Sequence, residues 1–174
     1  DAALGSDTSG SVRFPAAWCG VVGVKPTRGL VSHEGFVQFS KTFDEIGVLA
    51  RDAGTAARVL RSMGGADPKD EQTRTASTGD YVASVEAAEV EDLSGTTIGV
   101  LEDLMGKSDE IDERTRSVLD YLSEGGAKIE YKSIPSYDYV VPAFVVIAYT
   151  EMGAYMRARG QNYWLSSPER IPFV

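Results

Sequence analysis

The stretch that most constrains this chain lies near its start: Gly5-Ser6-Asp7-Thr8-Ser9-Gly10-Ser11-Val12-Arg13-Phe14-Pro15, followed by Cys19-Gly20 and Lys25-Pro26-Thr27. Gly5 and Gly10 bracket a run of hydroxyl side chains, and glycine reaches backbone angles that a residue with a Cβ resists. Successive N–H groups of such a loop can be turned toward one point. An anion can bind there, or the oxyanion that forms when a hydroxyl attacks a carbonyl. With Ser11 as the attacking hydroxyl, nucleophile and oxyanion donors come from one short segment. By composition alone the same letters suit a flexible Gly/Ser linker. The segment runs on into an apolar stretch, Val21-Val22-Gly23-Val24, which favours an ordered loop.

Two rival readings fail on the letters. A phosphate-binding loop needs G-x-x-x-x-G-K-[ST], and although Gly5 and Gly10 have that spacing, Ser11-Val12 stands where the lysine and hydroxyl belong. A G-x-S-x-G nucleophile elbow is also missing around Ser9 and Ser11. A Ser-His-Asp triad would have to use His33, the chain's one histidine, and a lone histidine is more often structural or exposed than catalytic. A serine nucleophile here therefore needs another base. Lys25 is read as structural, since most lysines keep their ordinary charge. Asp7 and Arg13, flanking the nucleophile, read as a pair that pins the loop.

The run GSDTSGSVRFPAAWCGVVGVKPTRGLVS resembles the signature of the amidase signature family, roughly GSDTGGSIRxPAxxCGxxGxKPTxGxVS. Phe43-Asp44-Glu45-Ile46-Gly47 is similar to that family's SLDQIGP segment. Residues 135–151, PSYDYVVPAFVVIAYTE, are similar to a tract of its glutamine-using, tRNA-dependent transamidases. The resemblance implies a Ser–cis-Ser–Lys amidase or glutaminase in which Ser11 accepts the acyl group. Thr8, Ser9, Gly10 and Ser11 would supply the oxyanion hole, and Phe144 would border the substrate pocket.

The family's bridging serine and its lysine lie further upstream of the nucleophile than this chain reaches. The expectation is thus an internal piece of a longer enzyme, with residues 1–174 forming part of one amidase-signature domain truncated at both ends, inactive alone. No cofactor is implied and no metal. The implied partners are a small amide such as glutamine and other amidotransferase subunits, with tRNA bound by a partner rather than by this segment, in the cytoplasm. The alternatives are a stand-alone amidase acting on small or fatty amides, and a catalytically silent scaffold. The chain departs from the pattern at Ser9, where glycine is usual, and at Phe144, where the transamidases carry a tyrosine. Arg28, Glu34 and Val48 also differ, and residues that grip the substrate's α-amino and α-carboxyl groups would fall beyond Val174.

Bulk properties agree. A length of 174 residues with 43% hydrophobic content suits a globular chain, and a formal charge of −9 argues against direct contact with nucleic acid or an anionic membrane. One cysteine excludes an internal disulfide framework. No continuous apolar run approaches the ~18 residues of a membrane span.

Strand-helix-strand alternation predicts an α/β fold, a mixed β-sheet flanked by helices. The expected strands are residues 19–24, with Cys19 a buried small hydrophobe, then 97–101 and 128–131. A helix is expected over 52–65, capped by Asp52, with Ala56, Val59, Leu60 and Met63 forming its apolar stripe. Residues 66–89 read as a surface excursion. A second helix opens at Ser108 or Asp109, with Ile111, Thr115, Val118, Leu119 and Leu122 facing inward. The carboxylates of Asp109, Glu110, Asp112 and Glu113 sit at the positive end of its dipole rather than around a metal. A third helix spans 139–160, with Phe144, Ala148, Met152, Tyr155 and Met156 inward.

Overall fold

The computed structural model describes residues 2–88 and 92–159. These fall into two compact units, one of residues 2–87 with 144–159 and one of 88 with 92–143. The first holds a three-stranded antiparallel sheet in the order β1-β3-β2, formed by β1 (Ala2–Asp7), β2 (Val22–Val24) and β3 (Glu45–Ala50). Register pairs Asp7 with Glu45 and Ala2 with Ala50, so the sheet delivers the chain into the 8–11 loop at its β1 end. The α/β reading holds, with helices flanking sheets, and the antiparallel and parallel pairings lie in separate sheets.

Between β1 and β2 lies a helix that the letters did not announce, α1 (Arg13–Cys19). Its N-cap Val12 offers no side-chain oxygen; instead the Asp7 carboxylate accepts from the N–H groups of Val12 and Arg13, each at 3.3 Å. Pro15 falls in the first turn, where its missing N–H costs little. Gly20, at φ +64°, ends the helix in the left-handed conformation that favours glycine. The expected strand over 19–24 is therefore shortened to its last three residues. Cys19, expected to be buried, is exposed at the helix end.

The helix α2 (Ala53–Met63) forms as its sequence predicts. The Asp52 carboxylate accepts from the Thr55 N–H at 2.7 Å, and Gly64 closes the last turn. Its buried Ala56 and Leu60 join Leu30, Val31, Val48 and Ala50 in the core, with Val59 and Met63 packed against them. Each large aliphatic chain fully buried in this way contributes about 1.5–3 kcal/mol. The 66–89 stretch is more structured than its polar composition suggested. Asp80 caps a short helix α3 (Tyr81–Ala87) that packs on α2, and Thr73 is fully buried through bonds to Asp67 and Asp70.

In the second unit, β4 (Thr97–Leu101) and β5 (Lys128–Lys132) run parallel, joined through α4 (Asp109–Glu124). The expected inward stripe of α4 is wrong in two places: Ile111 is 66% exposed and Val118 58%. Asp112 and Leu119 are the buried positions, because the Asp112 carboxylate turns in to accept the Gly106 N–H at 2.7 Å. This inward carboxylate ties the helix to the loop before it, a contact the apolar period does not announce.

The last described element is α5 (Val140–Ala158), preceded by a single 3-10 turn at Tyr137–Tyr139. By length and composition alone this span could cross a membrane. Glu151, the one charge between Val140 and Met156, is instead committed to hydrogen bonds with the 40–42 turn of the first unit. Phe144, Met152, Tyr155 and Met156 are partly buried and Ala148 fully so, as their spacing predicts.

Candidate active site

The 8–11 loop connects β1 to α1, and both of its ends are held by buried carboxylates. Asp7, with its side chain fully buried, takes Arg13 in a two-pronged contact, Nε to Oδ2 at 2.9 Å and Nη2 to Oδ1 at 3.0 Å. Burial works to raise the Asp7 pKa, but the bonds from Arg13 and from the N–H groups of Val12 and Arg13 together hold it below the ordinary aspartate value. The Thr8 hydroxyl donates to Asp44 Oδ1 at 2.7 Å, while Asp44 Oδ2 accepts from the N–H groups of Phe39 and Ser40 at 2.6 and 2.9 Å. Charge-assisted bonds of this kind are roughly twice as strong as neutral ones. The expected Asp7–Arg13 pin is present; the Asp44 grip was not foreseen.

Between these anchors, Gly10 is buried at φ +150°, and its carbonyl accepts the Phe14 N–H at 2.7 Å. Ser9 and Ser11 are exposed. Among the described residues, no hydrogen bond uses the N–H of Ser9, Gly10 or Ser11. The loop is thus fastened through side chains and its flanks while these three donors stay unspent. Such an arrangement can receive an anion without first breaking a bond of its own.

Phe144, the remaining expected site residue, lies apart from the loop. Its ring packs on Phe43 with centroids 5.1 Å apart and planes tilted by 47°. Its link to Ser11 runs through the turn 39–44. In that turn the Ser40 hydroxyl and the Thr42 N–H donate to Glu151 Oε2 at 2.5 and 2.9 Å, and the Thr42 hydroxyl donates to Oε1 at 2.5 Å. The signal for Glu151 was legible: a lone carboxylate inside an otherwise apolar helix must find donors when it packs inward.

Lys25 donates to the Pro26 carbonyl at 2.9 Å and has no hydrogen bond to Ser11. His33 is buried, its Nε2 lying 3.6 Å from Glu45 Oε2. That carboxylate is the larger influence and raises the imidazole pKa, while burial opposes it. A cavity of about 740 Å³ opens beside this pair, lined by His33, Gln38, Lys41, Asp70, Gln72 and Tyr155 among others, and residues 8–11 take no part in it. Among the described residues, no cluster of histidine, cysteine or carboxylate side chains could hold a metal ion.

The family model described as Amidase matches residues 1–171. A glutamyl-tRNA(Gln) amidotransferase subunit of Cyanothece sp. is 36% identical over 170 residues, covering 96% of this chain and 34% of that protein. The subunit of the same name from Desulfosudis oleivorans is 39% identical, with 95% and 34% covered. The crystal structure of the glutamyl-tRNA(Gln) amidotransferase subunit so named in Thermotoga maritima superposes with a TM-score of 0.80 at 36% identity, over 98% of this chain and 36% of that one. The chain therefore spans about a third of the length of the relatives it matches.

Proposed function

This chain belongs to the amidase family, and from that premise we propose that it carries the nucleophile of a serine amidase working as the glutaminase part of a tRNA-dependent amidotransferase. Ser11 Oγ attacks the side-chain amide carbon of glutamine, and the carbonyl oxygen becomes an oxyanion held by backbone N–H groups of Thr8, Ser9, Gly10 and Ser11. Collapse of that intermediate expels ammonia and leaves a γ-glutamyl ester on Ser11, which water then hydrolyses. The serine proton passes to a cis-Ser–Lys relay supplied from outside this segment, so residues 1–174 alone do not turn over. A partner subunit that binds charged tRNA consumes the ammonia, in the cytoplasm.

One observation carries this reading: an exposed serine in a loop whose neighbouring N–H groups are unspent and whose two ends are fastened by buried carboxylates. The names of the relatives support the choice of glutamine and of a tRNA-dependent partner. The test uses the full-length protein. Ser11→Ala is expected to lower its glutaminase rate on the order of 10⁴-fold or more. Wild-type glutaminase activity in that variant refutes the reading.

Phe144 favours a second reading. It offers no hydroxyl to a polar substrate, and its packing on Phe43 presents an apolar wall suited to a hydrophobic amide. Full-length protein that hydrolyses simple amides but not glutamine would decide for a stand-alone amidase. Failure of a fluorophosphonate probe to label Ser11 in the full-length protein would decide for a silent scaffold.

A further inference from the structure

We propose that Glu151 is a positioning residue for the acyl-transfer loop, acting on Ser11 through the turn 39–44. The proposal rests on the reading of Ser11 just given. Two buried or half-buried carboxylates, Glu151 and Asp44, make the connection, with the turn 39–44 between them. Glu151 on α5 takes the Ser40 hydroxyl, the Thr42 N–H and the Thr42 hydroxyl. The Ser40 hydroxyl in turn accepts the Phe43 N–H at 3.3 Å, and the Asp44 N–H returns to the Ser40 carbonyl at 2.9 Å, so the turn closes on itself. Asp44, 1% exposed, then holds Phe39 and Ser40 through one oxygen and the Thr8 hydroxyl through the other. Two aromatic pairs, Phe43 with Phe144 and Phe39 with Tyr149, seat the same turn on the same helix.

The consequence is geometric. The oxyanion donors sit on a loop that has no hydrogen bond of its own to α5, yet its first residue is tied to that helix through two carboxylates in series. Both oxygens of Glu151 are occupied by donors, so a leucine at this position would leave the Ser40 hydroxyl, the Thr42 N–H and the Thr42 hydroxyl without their acceptor. Misplacement of a reacting group by about 1 Å can cost 10²-fold in rate. The turn, once released, lets Thr8 and the N–H groups behind it drift by such amounts while the fold persists.

The experiment follows covalent labelling of Ser11 by a fluorophosphonate in the full-length protein, with the melting temperature measured alongside. Glu151→Leu is expected to lower the maximal labelling rate by roughly 10- to 100-fold, with Glu151→Asp intermediate because it restores the charge but not the reach. Thr8→Val keeps every backbone N–H and removes only the last link. Its effect should be of similar size, and the double variant should lose little more than the worse single one. Leu119→Ala, buried in the other unit, lowers the melting temperature and should leave labelling unchanged. Native labelling in Glu151→Leu overturns the proposal, as does simple additivity with Thr8→Val, or an equal loss in Leu119→Ala. Absence of labelling in the wild-type protein is a different result, since it removes the nucleophile assignment itself and this proposal with it.

Discussion

Arg13→Met removes the guanidinium from Asp7 while keeping an apolar stem of similar length. The Asp7 side chain is fully buried and that of Arg13 is 47% exposed. Breaking a fully buried pair costs about 3–5 kcal/mol because it strands a charge. Here one partner stands half in water, where screening weakens the attraction, so the expected cost at neutral pH is about 2 kcal/mol. Asp7 keeps only the Val12 and Arg13 N–H bonds, both long at 3.3 Å.

The cost must also depend on pH. In the native protein the folded Asp7 pKa lies below its ordinary 3.8. The stability drawn from the pair is therefore fully present above that value and is lost as pH falls through the depressed folded pKa. Without Arg13, burial is opposed only by the two backbone N–H bonds, and the folded pKa of Asp7 rises. The variant then gains relative to the wild type as Asp7 takes up a proton, and the gap narrows on the acid side of about pH 4. Hydrogen-exchange protection factors for α1 amides report the local opening involved. They should fall by about 30-fold near pH 7, the equivalent of 2 kcal/mol, and by much less near pH 3.5. A deficit of the same size at both pH values would refute the electrostatic reasoning, and no deficit at all would refute the contribution of the Arg13–Asp7 pair.

Two further outcomes follow from the same loop and helix. Gly10→Ala forces a side chain into φ +150°, and its Cβ would collide with the Phe14 ring. The exposed Phe14 can swing away, so the backbone strain decides, at about 1–3 kcal/mol, and Ser11 labelling in the full-length protein should slow along with the loss of stability. Cys19, exposed at the end of α1, should react fully with a thiol reagent in the folded protein without loss of helical circular dichroism. A thiol that reacts only in denaturant would return it to the core.

Where a physical signal is local, it was readable from the letters. Asp52 three residues before Thr55, with Gly64 after the last apolar position, bounds α2 because capping needs only neighbours along the chain. The strands read at 97–101 and 128–131 announced themselves in the same way, and the second runs one residue further, to Lys132. The reading failed where a distant group takes over a local task. α1 is seven residues long and borrows its N-cap from Asp7. In α4 it is Asp112, bound to the Gly106 N–H, that turns inward, while Ile111 and Val118 stay outside. Thr73, in a stretch read as surface, is buried because its hydroxyl accepts the Asp67 N–H and donates to the Asp70 carbonyl.

By itself the sequence determined the α/β class, the placement of most elements, and a serine-bearing loop with a glycine, Gly10, where its backbone bends; Gly5, read the same way, lies in β1 instead. It could do so because hydrophobic period, caps and glycine act over a few residues. Only the tertiary structure decided how that loop is held: Asp7 and Asp44 fasten its ends, and Glu151, 111 residues from Ser40, completes the chain of bonds to α5. Buried carboxylates persist only where donors converge on them, and that convergence exists only once strand, turn and helix have been folded together.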